Sequence, residues 1–160
     1  MGCLFLYTIR NIPVRKAVWN LDLKKAKDLL MSGEYTCVLC KGESVYTSTQ
    51  RGVKPLVQWH RSGTGFAAFS AADKVIGKAT AFLYVLLQVR AVYAHVISRS
   101  ALAVLRENGI DAEYGTLVEN IINRKGDGIC PFEATVTQIR TPDAAYTAIL
   151  EKMQEMNIPY

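Results

Sequence analysis

The chain has 160 residues, of which 50% are hydrophobic and 21% charged, and its formal net charge is +5. This length accommodates one buried core, and the composition is that of a globular domain rather than of a disordered chain. Arg10, Arg15 and Lys16 supply three of these charges before the first acid, Asp22. The rest of the chain therefore lacks the concentrated basic face that is typical of nucleic-acid-binding proteins.

Membrane insertion and secretion are not indicated. No run of apolar residues reaches the roughly 20 positions that a membrane-spanning helix requires. Met1–Ile9 lacks the basic segment and the small-residue cleavage site of a signal peptide. The four cysteines stand at spacings that do not repeat, which argues against a disulfide framework. We expect one cytoplasmic domain, residues 21–160, behind an N-terminal extension, residues 1–20, with no membrane or nucleic-acid partner.

The first half of the chain predicts a helix, a β-hairpin and a second helix. Asn20 can cap a helix with one apolar side, and Gly33 marks its end. Tyr35–Cys40 and Val45–Ser48 are β-rich runs, and the four residues between them have the composition of a hairpin turn. Pro55 favours the start of a short helix soon after the hairpin.

The middle of the chain is strongly apolar. Ser70–Asp73 has the composition of a capping box and is expected to open the most apolar helix. Ala91–Ile97 is a nearly continuous apolar run, as expected of a strand that is covered on both faces. Ser98 or Ser100 can cap the following helix, which Asn108-Gly109 closes.

The last third of the chain predicts a strand, a loop and two helices. Ile110–Tyr114 alternates apolar and acidic residues, which indicates a half-exposed strand. A polar loop with two glycines follows at residues 123–128. Cys130–Glu133 and Thr141–Asp143 each carry a proline at a first helical position. Strands alternating with helices predict an α/β fold.

Three of the predicted helix starts have the features of an anion site: Ser70–Asp73, Ser98–Ser100 and Cys130–Glu133. In open α/β sheets, ligands lie beyond the carboxyl ends of strands, where helix N-termini offer unpaired N–H groups and partial positive charge. We expect these starts to converge on a cavity for an anionic small molecule, although single basic residues often only decorate the surface. The candidate ligand-binding residues are Arg51, Lys54, Ser70, Lys78, His95, Ser98, Asn123, Arg124 and Glu133.

The candidate catalytic residues are Asp73, Lys74 and Cys130. A helix dipole would keep Asp73 ionised for acid/base work, but a structural role in a capping box explains the residue equally well. Lys74 is expected one turn before Lys78 on the same apolar helix, which leaves both lysines little exposed face. Cys130 precedes a proline at a helix start, a setting that can activate a thiol, although a buried cysteine is more often an inert hydrophobe.

Metal binding is not expected. Cys37 and Cys40 form a C-x-x-C pair, but residues three apart on a strand point to opposite faces and do not easily hold one ion. The chain has no second such pair, and its two histidines are His60 and His95. His95 lies in an apolar strand, where a satisfied core imidazole is the usual role. We predict no metal and no cofactor.

Several strings of the sequence together resemble an uncharacterised prokaryotic domain-of-unknown-function family, over about residues 21–156. They are Gly33–Cys40, Tyr46–Thr49, Arg51–Leu56, Ser70–Ala79, Asn123-Arg124 and Cys130–Glu133. That family is classed with the cytidine-deaminase-like fold. The resemblance implies a three-layer α/β/α domain with a mixed sheet, and it implies no particular reaction.

Deaminases of that fold hold zinc with His- or Cys-x-Glu at one helix start and Pro-Cys-x-x-Cys at the next. Here the first position corresponds to Ser70–Asp73 and the second to His95–Ser100, and neither contains the motif. Zinc-dependent deamination is therefore not expected. The leading hypothesis is a zinc-free, deaminase-like domain that binds a small anionic or nucleotide-related ligand. The alternatives are a metal-free enzyme that uses Asp73, Lys74 or Cys130, and a protein-interaction module.

Overall fold

A mixed β-sheet is the centre of the fold. The computed structural model describes the backbone of residues 14–160 and the side chains of residues 20–160. Within this range the sheet has five strands in the spatial order β2-β1-β3-β4-β5. Their bounds are β1 Cys37–Lys41, β2 Ser44–Ser48, β3 Ser70–Ile76, β4 Ala91–Ser98 and β5 Asp111–Val118. β1 pairs antiparallel with β2 and with β3, whereas β3, β4 and β5 are parallel.

Helices cover both faces of the sheet, which makes the domain a three-layer α/β structure. Over residues 14–160 they are α1 Val14–Ser32, α2 Lys54–Arg61, α3 Lys78–Leu87, α4 Arg99–Glu107, α5 Pro131–Val136 and α6 Pro142–Glu155. Because side chains alternate along a strand, the core is divided into two clusters. α1 packs alone on one face, where Leu23 and Ala26 meet Val38 and Ala72. The other helices share the opposite face. No helix within residues 14–160 is long and apolar enough to cross a membrane.

Most predicted elements are confirmed. The hairpin turns through Gly42 and Glu43, and Gly42 supplies the positive φ of +57° that a two-residue turn requires. Ser98 caps α4 as predicted, since its hydroxyl accepts a hydrogen bond from the Ala101 amide. The predicted start of α1 at Asn20 is wrong: the helix already begins at Val14, and no Gly or Pro stands between Val14 and Asn20. Residues 1–13 of the predicted extension lie outside the described residues.

The prediction of a helix start at Ser70–Asp73 is wrong. These residues form the first part of β3, and all four are buried between β1 and β4. A central strand that is covered on both faces has no polar alternation, so its sequence resembles that of a buried helix. The helix begins only at Lys78, after Gly77 has taken an extended N-cap conformation.

The C-terminal end of α3 generates a stability prediction. Its C-cap residue, Gln88, is exposed and has a φ of +60°, a left-handed conformation in which glycine is preferred. We expect Gln88→Gly to raise the free energy of unfolding by about 0.5–1 kcal/mol, because relief of the left-handed strain exceeds the entropy lost with glycine.

Chemical denaturation measures this change. The matched control is Gln58→Gly, which alters an exposed residue with ordinary helical geometry inside α2 and should lower the free energy of unfolding by about 0.5–1 kcal/mol. Equal destabilisation by both substitutions would contradict the prediction.

Candidate functional site

The carboxyl ends of the three parallel strands lie along one side of the sheet, the carboxyl edge. β3, β4 and β5 end there at Ile76, Ser98 and Val118. The open end of the hairpin joins them, because Cys37 pairs both with Ser48 at the end of β2 and with Asp73 in β3. Since ligands of open α/β sheets bind outside the carboxyl ends of strands, a site is expected at this edge.

Most of the predicted ligand-binding residues belong to elements that meet at the carboxyl edge. They follow β2, begin α3, cap α4, or lie beyond the end of β5, either before α5 or within it. This set is Arg51, Lys54, Lys78, Ser98, Asn123, Arg124 and Glu133. Asp73 is also near this edge, as the last buried residue before Lys74 and Val75 become exposed.

Three predicted site residues are located differently from the prediction. Ser70 is at the opposite end of β3, where it pairs with Cys40 and Ala91. Lys74 is an exposed residue of β3 and does not share a helix with Lys78. Exposed Lys74 and His95 each lie two residues beyond a core residue of the α1 face, so they point away from the face on which Asp73 lies.

The starts of α3, α4 and α5 converge on one carboxylate, that of Glu133. Its Oε2 accepts a hydrogen bond of 2.9 Å from the Lys78 backbone amide, and its Oε1 accepts one of 2.9 Å from the Ser98 hydroxyl. Glu133 is only 6% exposed. A negative charge is favourable at helix N-termini because their unpaired N–H groups carry partial positive charge. The space predicted for an anionic ligand is thus filled by the chain's own carboxylate.

Gly77 allows this carboxylate to approach the start of α3. A Cβ atom at position 77 would lie 2.6 Å from Oε1 and 2.8 Å from Cδ of Glu133, far inside van der Waals contact. Glycine fits at this position because it has no Cβ atom, so that the Glu133 carboxylate can lie against the backbone. The sequence shows a glycine before Lys78, but it does not show that Glu133 packs against this glycine.

Lys78 holds α5 at both ends. Its backbone amide binds Glu133, and its Nζ donates to the Thr137 carbonyl at 2.8 Å. The Thr137 hydroxyl in turn donates to the Glu133 carbonyl at 2.9 Å. Cys130, the N-cap residue of α5, is half-buried, and its amide donates to the Ile121 carbonyl at 2.8 Å. The backbone amide and the side chain of Lys78 therefore both bind groups of α5. The predicted reactivity of Cys130 stays a prediction.

A second polar group, the Asp73 cluster, consists of Cys37, Asp73 and Tyr84 and is buried on the α3 face. The Tyr84 hydroxyl donates to Asp73 Oδ2 at 2.8 Å, and the Val75 amide donates to Oδ1 at 3.1 Å. Cys37 Sγ lies 3.1 Å from the Tyr84 oxygen. Because the one proton of the Tyr84 hydroxyl is directed to Asp73, the Cys37 thiol is the donor in that contact.

Burial has the largest effect on the pKa values of the three side chains in this cluster. It raises the pKa of the Asp73 carboxyl from 3.8 to about 6, against the hydrogen bonds from Tyr84 and Val75, which lower it. Burial, reinforced by the Asp73 charge, also raises the pKa of the Cys37 thiol and that of the Tyr84 phenol well above their usual values. At neutral pH, Asp73 is therefore mostly ionised, while Cys37 and Tyr84 keep their protons.

Sequence reasoning selected Asp73 but missed Tyr84. A signal was available, because Tyr84 stands in the apolar run Ala79–Val89 and a buried tyrosine hydroxyl usually finds a hydrogen-bond partner. It does not identify Asp73 as that partner, because the sequence pattern predicts one helix that contains both residues.

The described residues offer no assembled set of metal ligands. Across residues 20–160, no three side chains of His, Cys, Asp or Glu come together in a suitable arrangement. Cys37 and Cys40 belong to the core clusters on opposite faces of the sheet, as their spacing predicts.

Two clefts lie away from the carboxyl edge. One, of about 380 Å³, is at the opposite edge and is lined by residues that include Ala68, Gln88 and Asn108. The other, of about 410 Å³, is a shallow depression along α1 that includes Leu21 and Leu29. Neither includes a predicted site residue.

The described part of the chain is thus a three-layer α/β protein with a mixed sheet and polar groups clustered at its carboxyl edge. A family model described as TM1506, Domain of unknown function (DUF1893), matches residues 25–153, and the chain belongs to this family. It is similar to the crystal structure of a DUF1893 family protein (TM1506) from Thermotoga maritima, with a TM-score of 0.77 and 25% sequence identity. The similarity covers 82% of this chain and 90% of that one. No curated protein matches.

The contact between Gly77 and Glu133 can be tested by substitution. We expect Gly77→Ala to lower the free energy of unfolding by about 1–3 kcal/mol, because the added methyl group displaces a buried, hydrogen-bonded carboxylate. In a Glu133→Ala background the same substitution should be nearly neutral. Urea denaturation of the four proteins in this cycle measures the coupling, and additive effects would contradict the assignment.

The burial of Asp73 predicts a pH-dependent stability. Since its folded-state pKa of about 6 exceeds the ordinary aspartate value of 3.8, the folded state binds the proton more tightly than the unfolded chain does. This contribution is fully present below pH 4 and is lost as the pH rises through 6, a change on the order of 3 kcal/mol from this group. We expect Asp73→Asn to remove it, so that denaturation midpoints of the variant and the wild type converge at low pH and separate at high pH. Parallel profiles would contradict this result.

Proposed function

We propose that this chain is a binding domain for a small anionic or nucleotide-related molecule, which lies at the carboxyl edge beside the Asp73 cluster. The observation that supports this most is the position of Asp73, a buried carboxylate close to the carboxyl end of the parallel strand β3. Ligands of open α/β sheets bind outside the carboxyl ends of strands, and Cys37, at the start of β1, pairs with Asp73 at this edge.

Positive charge is available close to this position. Arg51 is exposed and Lys54 is half-buried at the start of α2, just beyond the end of β2. Because β2 and β3 flank β1, their backbones are roughly 10 Å apart, a distance that an extended arginine or lysine side chain largely spans. These two side chains can bind a phosphate or carboxylate group, since charge-assisted hydrogen bonds to such groups are strong.

A metal-free enzyme is the second candidate, and Asp73 is the residue that favours it. A pKa of about 6 is close to the operating pH of most enzymes, as acid/base catalysis requires. Lys74 points to the opposite face of the sheet and Cys130 belongs to α5, so Asp73 is preferred over both as the catalytic group.

We also propose that the fold is cytidine-deaminase-like and that the protein acts in the cytoplasm of a prokaryotic cell. The antiparallel hairpin beside parallel strands supports the first proposal. The free thiols of Cys37, Cys40 and Cys130 support a reducing compartment.

A binding screen tests the proposed function. Inorganic phosphate, a nucleoside monophosphate and a nucleotide sugar are added to the protein, and their effect on the melting temperature is measured. We expect at least one probe to stabilise the wild type, and we expect the double substitution Arg51→Gln/Lys54→Gln to weaken its binding by about tenfold or more.

The matched control for this screen is Arg106→Gln, which removes an exposed arginine at the far end of α4. Its binding should equal that of the wild type. The proposal fails if no probe stabilises the protein, or if Arg106→Gln weakens binding as much as the double substitution.

A further inference from the structure

The Asp73 carboxylate is buried without a positively charged partner. It is 9% exposed, and its close hydrogen bonds come from two neutral donors, the Tyr84 hydroxyl and the Val75 amide. The Cys37 thiol and the Lys74 amide make smaller contributions that also favour the ionised carboxyl. Three ion pairs of the described residues lie elsewhere: Lys24–Asp28, Arg99–Glu119 and Lys152–Glu155. A buried carboxylate without a counter-charge is unfavourable, so its retention in a core requires an explanation.

The carboxylate keeps capacity for a further donor. Each of its oxygens can accept two hydrogen bonds, and each accepts one from the residues just named. Tyr84 and Cys37 stand behind it in the core, while Lys74 and Val75, which follow it in β3, are exposed. Asp73 is therefore at the boundary between the core and the exposed part of β3 at the carboxyl edge.

No other charge of the described residues neutralises this group. Its neighbours include Cys37 from β1, Tyr84 from α3 and Ala94 at the paired position of β4. None of them carries a positive charge. A proton or a positively charged group of a bound molecule would supply the charge that Asp73 lacks.

We propose that Asp73 is the counter-ion for a cationic N–H group of the ligand, an ammonium, an amidinium or a protonated ring nitrogen, with Tyr84 and Cys37 as positioning residues. This inference rests on the proposed function for the location of the ligand at the carboxyl edge. The ligand then has two poles, a cationic N–H group at Asp73 and an anionic group at Arg51 and Lys54.

An NMR titration with three isosteric probes tests this proposal. Acetamidinium, acetamide and acetate have the same shape and differ in charge. The ¹³C signal of the Asp73 carboxyl is followed against pH with each probe at equal ionic strength. We expect acetamidinium to lower the midpoint from about 6 by about one pH unit or more, because a cation favours the ionised carboxyl. Acetamide and acetate should leave it in place.

Substitutions identify the residues responsible. Tyr84→Phe removes a donor that favours the ionised carboxyl, so it should raise the midpoint and weaken the acetamidinium effect. Tyr114→Phe in β5 is the control, because Tyr114 is an exposed tyrosine outside the Asp73 cluster, and it should change neither. If Tyr84→Phe does not fold, Cys37→Ala serves instead and should also raise the midpoint.

The outcomes separate this inference from the proposed function. An unchanged midpoint with acetamidinium, or an equal effect of acetate, overturns the role of Asp73 even if phosphate binds at Arg51 and Lys54. A shift with acetamidinium in a protein that binds no phosphate-bearing probe supports the role of Asp73, and it rejects only the anionic pole.

Discussion

The carboxylate of Glu133 is the interaction on which the carboxyl edge depends. It neutralises the partial positive charges at the starts of α3 and α4, and it fastens α5 to both of them. Without it, the first amide of α3 and the Ser98 hydroxyl would lose a buried partner. One side chain thus joins the last part of the chain to the two parallel βα units that precede it.

Much of the fold could be predicted because local signals and tertiary structure agree. Pro55, Pro131 and Pro142 begin helices, and the turn at Gly42 closes the hairpin. The failure at Ser70–Asp73 has a physical cause: a serine and an aspartate three residues apart suit a capping box, but here both are buried in a strand that is covered on both faces. Only pairing with β1 and β4, which is a non-local effect, decides between the two.

The candidate site was predictable in its location but not in its contacts. Arg51, Lys54 and Ser98 were selected because they follow strands, and the topology brings their elements to one edge. The hydrogen bond between Tyr84 and Asp73 was not predictable, because it joins a helix to a strand, whereas the sequence pattern predicts a single helix for both residues. The role of Glu133 as an internal anion was hidden for a similar reason, since its partners are distant in sequence.

Because Lys78 holds α5 by two bonds, the binding of a dissolved anion at the start of α3 affects the attachment of α5. A dissolved anion reaches the amide of Lys78 only when Glu133 leaves it, and that departure removes one of the two bonds by which Lys78 holds α5. Occupancy of the helix starts from outside therefore weakens the attachment of α5. Salt that competes for these amides would at the same time loosen the C-terminal helices.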